Sequence, residues 1–145
     1  MCSHERIKEQ LENPKYYQIH QFSYDYVCDE RSSQDEVYEV AAKEAIEYCF
    51  KGFNSSILAY GQTGTGKTYT MEGFSETFQD GKMGIFPRAV LDIFDQIENN
   101  NIIGVKSIKI SYLQIYNENL SDLLKPDRSN LSIREDKKRG IFVDG

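Results

Sequence analysis

Gly61-Gln62-Thr63-Gly64-Thr65-Gly66-Lys67-Thr68 matches the pattern G-x-x-x-x-G-K-[ST] at every fixed position. These residue types suit the binding of a polyphosphate. Gly61, Gly64 and Gly66 allow positive φ and a close backbone approach to an anion. Successive N–H groups can then line an anion-binding concavity. Lys67 can reach β- and γ-phosphates as a point charge, and the Thr68 hydroxyl can ligate Mg²⁺.

The flanking residues supply the elements such a loop needs. Ser55 to Tyr60 is a short apolar run that reads as a buried strand, and Lys67 to Met71 can open a helix. Strand, glycine loop and helix is the required order, with the helix N-terminus adding partial positive charge. A chance glycine-rich turn would not bring this context with it.

Tyr60 to Gly73, reading Tyr-Gly-Gln-Thr-Gly-Thr-Gly-Lys-Thr-Tyr-Thr-Met-Glu-Gly, resembles the kinesin motor domain. Further kinesin-like signals flank it in the right order. They are Phe22-Ser23-Tyr24-Asp25-Tyr26-Val27, Ser33 to Tyr38, Gly84-Ile85-Phe86-Pro87-Arg88, Ser111 to Glu118 with Asp122-Leu123-Leu124 behind it, and Leu131 to Gly145. Gln114 stands where the family usually has Glu, and Cys28 where an aromatic is common; neither touches the phosphates. The ordered motifs weigh against an unrelated P-loop kinase or GTPase.

The resemblance implies an α/β P-loop NTPase with a mixed central sheet flanked by helices, incomplete in this chain. It implies ATP or ADP with Mg²⁺ in the pocket, held by Gly61, Gln62, Thr63, Gly64, Thr65, Gly66, Lys67, Thr68 and Tyr69, with Thr68 on the metal. Tyr69 is expected against the adenine, where an aromatic face contributes roughly 1–3 kcal/mol per base; covering the helix flank is its other reading. No residue is assigned a catalytic role. Microtubules are the expected partner of the complete motor, and cytoplasm and cytoskeleton the expected location.

Other kinesin signatures are not matched. The R-x-R-P of the first strand, the N-x-x-S-S-R-S-H of switch I and the D-x-x-G-x-E of switch II do not occur in residues 1–145. In the family both switches lie further along, beyond the position of Gly145. Phosphoryl transfer is mostly positioning and electrostatic stabilisation, and losing one charge-stabilising group costs roughly 10³–10⁵ in rate. Residues 1–145 alone are therefore expected to show no significant ATPase. Unpaired strand edges are also expected to leave them poorly soluble or partly molten. The alternative to a motor segment is a truncated, non-motor kinesin-like protein that binds nucleotide weakly or acts as an interaction module.

Composition sets the outer bounds. The chain has 145 residues, 39% hydrophobic and 28% charged, which fits one folded domain. The division expected is a polar segment over 1–16 and a partial motor domain over 17–145. The net charge of −6 argues against nucleic acid as a partner. No apolar run approaches the ~18 residues that span a membrane, and no membrane partner is expected. Cys2, Cys28 and Cys49 show no metal-ligand spacing, and His4 and His20 are isolated. Arg134 to Arg139 could be a solvated turn or, in a complete motor, a weak tubulin contact.

Periodicity completes the expected layout. Ser3 to Glu12 reads as a short helix, and Tyr17 to Val27 as a strand. Ser33 and Glu36 form a capping box ahead of a helix with Val37, Val40, Ala41, Ala45, Tyr48 and Cys49 on one face, stopped by Gly52 and laid against the sheet. Phe74 to Lys82 reads as a loop. A helix starts around Pro87, with Val90, Leu91, Phe94 and Ile97 as its apolar face. Lys106 to Ile115 reads as a strand, Glu118 to Leu124 as a short helix, and Ser132 to Val143 as a hairpin turning through Lys137-Lys138-Arg139-Gly140.

Overall fold

The structure, a computed structural model, describes residues 20–74, 81–99 and 107–144. The chain divides into two units, Met1–Asn100 and Asn101–Gly145. The helix expected over Ser3 to Glu12 lies outside the described residues.

In the first unit, α1 (Gln34–Ala41) and α2 (Lys43–Phe50) follow one another. Ser33 caps α1 by accepting from the Glu36 N–H at 3.2 Å. Only half of the expected capping box forms, because the Glu36 carboxylate instead accepts from the Tyr26 hydroxyl at 2.8 Å. The single helix expected over this stretch is interrupted at Ala42 (φ −129, ψ −36). Hydrogen bonds still cross the break, from Ala42 N–H to the Tyr38 carbonyl and from Ile46 N–H to the Ala42 carbonyl. Gly52 ends α2 as expected, at φ +90. Its N–H donates to the Cys49 carbonyl, and the Phe53 N–H donates to the Tyr48 carbonyl. This Schellman pair carries its usual apolar contact, here the Tyr48 and Phe53 rings edge to face at 5.9 Å.

The short helix α3 (Lys67–Met71) follows the glycine loop, and α4 (Ile85–Asn99) completes the unit. Helices α1, α2 and α3 each contact α4. The core is small: Tyr38, Ala42 and Ile85 are buried, with Val37, Ile57, Met71 and Ala89 packed around them. Of the apolar face expected on α4, Val90 and Ile97 are half-buried, whereas Leu91 and Phe94 are exposed. Burial and a hydrogen bond to Asp92 at 2.7 Å push the Tyr38 phenol well above its ordinary pKa. Gln96 donates to the other Asp92 oxygen at 3.0 Å.

Two expected strands are absent among the described residues. Residues 20–27, with a bend at Asp25, and 55–60 join no ladder. Leu58 and Tyr60, expected in a buried strand, are 88% and 96% exposed. Extended backbone becomes a strand only when a neighbour takes its N–H and C=O groups, and none of the described strands pairs with either segment. The expected mixed central sheet is accordingly not among the described residues, and α1 and α2 lie on α4 rather than on a sheet.

The second unit is a four-stranded antiparallel sheet in the order β1 (Leu113–Tyr116), β2 (Asn119–Asp122), β3 (Ser129–Asp136), β4 (Gly140–Asp144). The strand expected from Lys106 is shorter, since residues 107–112 carry no ladder. The helix expected from Glu118 is replaced by a hairpin. Asn117 (φ 46) and Glu118 (φ 61) both take the left-handed conformation of a two-residue turn, which reverses the chain and pairs Tyr116 with Asn119. The hairpin at Lys137 to Gly140 forms as expected. Asp136 Oδ1 accepts from the Lys138 and Arg139 N–H groups at 2.8 and 2.9 Å. These two bonds hold the Asp136 carboxyl below its usual pKa.

Candidate functional site

The glycine loop joins the segment 55–60 to α3. Gly66 stands at the N-cap of α3 with φ +94, a conformation that a Cβ disfavours, and no side chain caps the helix. The first-turn N–H groups of α3 have no intrahelical acceptors. Above Gly64 and Gly66 there is open space, with nothing within 4 Å of where a Cβ would stand.

Thr63, Gly64, Gly66, Lys67, Thr68 and Tyr69 line one cleft of about 330 Å³. Three expected residues do not line it and instead shape the loop. Gly61 and Gln62 offer their carbonyl oxygens to the Lys67 ammonium, each at 2.8 Å. Thr65 donates its hydroxyl to the Gln62 carbonyl at 2.8 Å. Lys67 is thus turned onto its own loop. A polyphosphate in the cleft would compete for its ammonium with two neutral carbonyls, and it adds the attraction of an opposite full charge that a carbonyl oxygen lacks.

Phe74 also lines the cleft, although it reads from the sequence only as the start of a loop. Its ring centroid lies 5.7 Å from that of Tyr69. No local pattern marks this pairing, which depends on how the chain leaves α3. That exit is tightly built. Gly73 bridges Met83, with the Phe74 N–H on the Lys82 carbonyl and the Gly84 N–H on the Glu72 carbonyl, each at 3.1 Å. A Cβ on Gly73 would meet the Lys82 carbonyl oxygen at 2.1 Å, and one on Gly84 would meet the Met71 carbonyl at 2.6 Å. Arg88 on α4 holds the returning chain, donating to the Met83 carbonyl at 2.8 Å and the Gly81 carbonyl at 3.3 Å while pairing with Asp35.

The donor set fits a nucleoside polyphosphate with a divalent cation. It offers uncapped helix N–H groups, one ammonium, one hydroxyl on the first helical turn and an aromatic pair at one edge. Among the described residues no helix is long and apolar enough to cross a membrane.

Known proteins resemble this chain over most of its length. A family model described as the kinesin motor domain matches residues 2–145. The human chromosome-associated kinesin KIF4A is 42% identical over 128 residues, covering 86% of this chain and 10% of the relative. Kinesin-related protein 3 of Dictyostelium discoideum is 40% identical over 127 residues, covering 87% and 11%. The rat kinesin-like protein KIF27 is 43% identical over 127 residues, covering 86% and 9%. A solved structure described as that of a fast kinesin matches with a TM-score of 0.74 at 36% identity, covering 86% of this chain and 35% of the solved one. The chain therefore spans about a tenth of the length of these curated relatives. On the match across residues 2–145, this chain belongs to the kinesin motor-domain family.

Proposed function

We propose that this chain is the ATP-binding part of a microtubule-based motor. Thr63, Gly64, Gly66, Lys67 and Thr68 hold the phosphates of ATP or ADP on a loop shaped by Gly61, Gln62 and Thr65, Thr68 ligates Mg²⁺, and Tyr69, with Phe74 beside it, covers the adenine. The observation that carries this reading is the cleft at the start of α3 lined by Thr63, Gly64, Gly66, Lys67, Thr68 and Tyr69. The family to which the chain belongs binds ATP with Mg²⁺ and moves on microtubules.

The chain's own residues bind and orient. The uncapped N–H groups of α3 donate to phosphate oxygens, and Lys67 exchanges the Gly61 and Gln62 carbonyls for β- and γ-phosphate oxygens. Mg²⁺, when bound, neutralises charge on the phosphates and fixes their geometry. Microtubule binding and movement belong to the complete motor, and the cytoskeleton is its place of action.

The test is a titration of the protein with a fluorescent ATP analogue in the presence of Mg²⁺. Lys67→Ala is expected to weaken binding about 10- to 100-fold, the scale of one charge-assisted interaction. Equal binding by wild type and Lys67→Ala would defeat the proposal.

A further inference from the structure

Gln34 is the buried polar residue of the described chain, at 5% exposure. A buried amide needs a partner, and its Nε2 donates to the Tyr69 carbonyl oxygen at 2.7 Å. That carbonyl lies in α3, thirty-five residues away along the chain. The hydrogen bonding at the end of α3 explains why it is available. In a regular helix the Gly73 N–H would bond to it, but that N–H goes to the Thr68 carbonyl at 3.3 Å. In a Schellman ending the Phe74 N–H would take it, but that N–H is committed to the Lys82 carbonyl. Both backbone donors that could finish α3 are used elsewhere, and the Gln34 side chain replaces them.

The next residue does a related job. Asp35 pairs with Arg88, which grips the Met83 and Gly81 carbonyls on the opposite side of the bridge. Gln34 and Asp35, adjacent on the first turn of α1, therefore secure both sides of the crossing that closes α3. A helix of five residues has too few internal bonds to hold itself.

We propose that Gln34 is a positioning residue for the phosphate-binding loop, serving as a C-cap in trans that keeps α3, and with it Lys67 and Thr68, in the geometry that receives the polyphosphate. This rests on the nucleotide reading above for its consequence, but not for the clasp itself.

The test uses Gln34→Glu and Gln34→Leu. A carboxylate cannot donate to the Tyr69 carbonyl, whereas a protonated carboxyl can. Burial raises a carboxyl pKa above its ordinary value of about 4.3, so protonation should be reached on going from about pH 8 to about pH 5. Amide exchange at Thr70 and Glu72 is measured without nucleotide and compared with wild type at each pH, with the α2 amide of Ile46 as the check on overall folding. In Gln34→Glu, exchange at Thr70 and Glu72 should be about tenfold faster at pH 8 and return towards wild type at pH 5. In Gln34→Leu it should be fast at both. Affinity for the fluorescent ATP analogue should fall by a similar factor at pH 8.

Unchanged exchange in both variants would overturn the clasp. Lost protection with unchanged affinity, where Lys67→Ala does weaken binding, would overturn the positioning role. If the wild type binds no nucleotide, the nucleotide reading fails, and the exchange profile still decides whether Gln34 holds α3.

Discussion

The Lys67 ammonium lies 2.8 Å from the carbonyl oxygen of Gly61, six residues before it, so the cation that would meet a phosphate instead closes its own loop. Adding Mg²⁺ and ATP should draw it away. The carbonyl-carbon NMR resonances of Gly61 and Gln62 are expected to shift on saturation in wild type. In Lys67→Ala these carbonyls start without the ammonium, and no nucleotide-dependent shift of comparable size should appear.

Glycines that look alike in the sequence should differ in cost when replaced. Gly64 and Gly73 both have positive φ, +85 and +87. A Cβ on Gly64 meets nothing within 4 Å, so Gly64→Ala bears only the backbone cost of about 1–2 kcal/mol. A Cβ on Gly73 would collide with the Lys82 carbonyl and the Gly84 nitrogen, which are main-chain atoms that cannot step aside. Gly73→Ala should cost about 3 kcal/mol or more. Denaturant unfolding of the two variants gives the comparison; equal losses would contradict the close crossing.

Tyr38 and Asp92 make a pH-dependent contribution with a definite sign. The Tyr38 phenol has a raised pKa in the folded chain, through burial first and its bond to Asp92 second. Its contribution is full below the unfolded value of about 10 and is lost as pH rises beyond it. Tyr38→Phe should cost about 1 kcal/mol at pH 8, with Gln96 still bonded to Asp92. That difference should narrow above about pH 10, as read from denaturant midpoints across pH 8 to 11.

Asp136 has the opposite sense. Its carboxyl is held down by the Lys138 and Arg139 N–H groups, so its support of the β3–β4 turn is present above the ordinary carboxylate range and fades as pH falls through the folded value. The Lys138 and Arg139 amides should lose protection on acidification in wild type. In Asp136→Ala they should be weakly protected at every pH.

What was legible in the sequence was what neighbours along the chain decide. The glycine loop and the start of α3, the Ser33 cap, the Gly52 stop and the turn at Lys137 to Gly140 each depend on a few consecutive residues and their preferred φ and ψ. Kinesin membership was legible for the same reason, through ordered short motifs. The tertiary structure decided whatever needed a distant partner. Residues 20–27 and 55–60 have strand composition, but no described strand supplies the ladder. Glu118 to Leu124 has helical composition, but the left-handed pair Asn117 and Glu118 turns the chain into a hairpin paired with β1. Phe74 enters the cleft and Gln34 reaches Tyr69 only because the exit from α3 crosses the entry to α4. A side chain's own preference is worth tenths of a kcal/mol to about 1 kcal/mol, whereas a buried amide or an unpaired strand must find its hydrogen bonds wherever the fold places them.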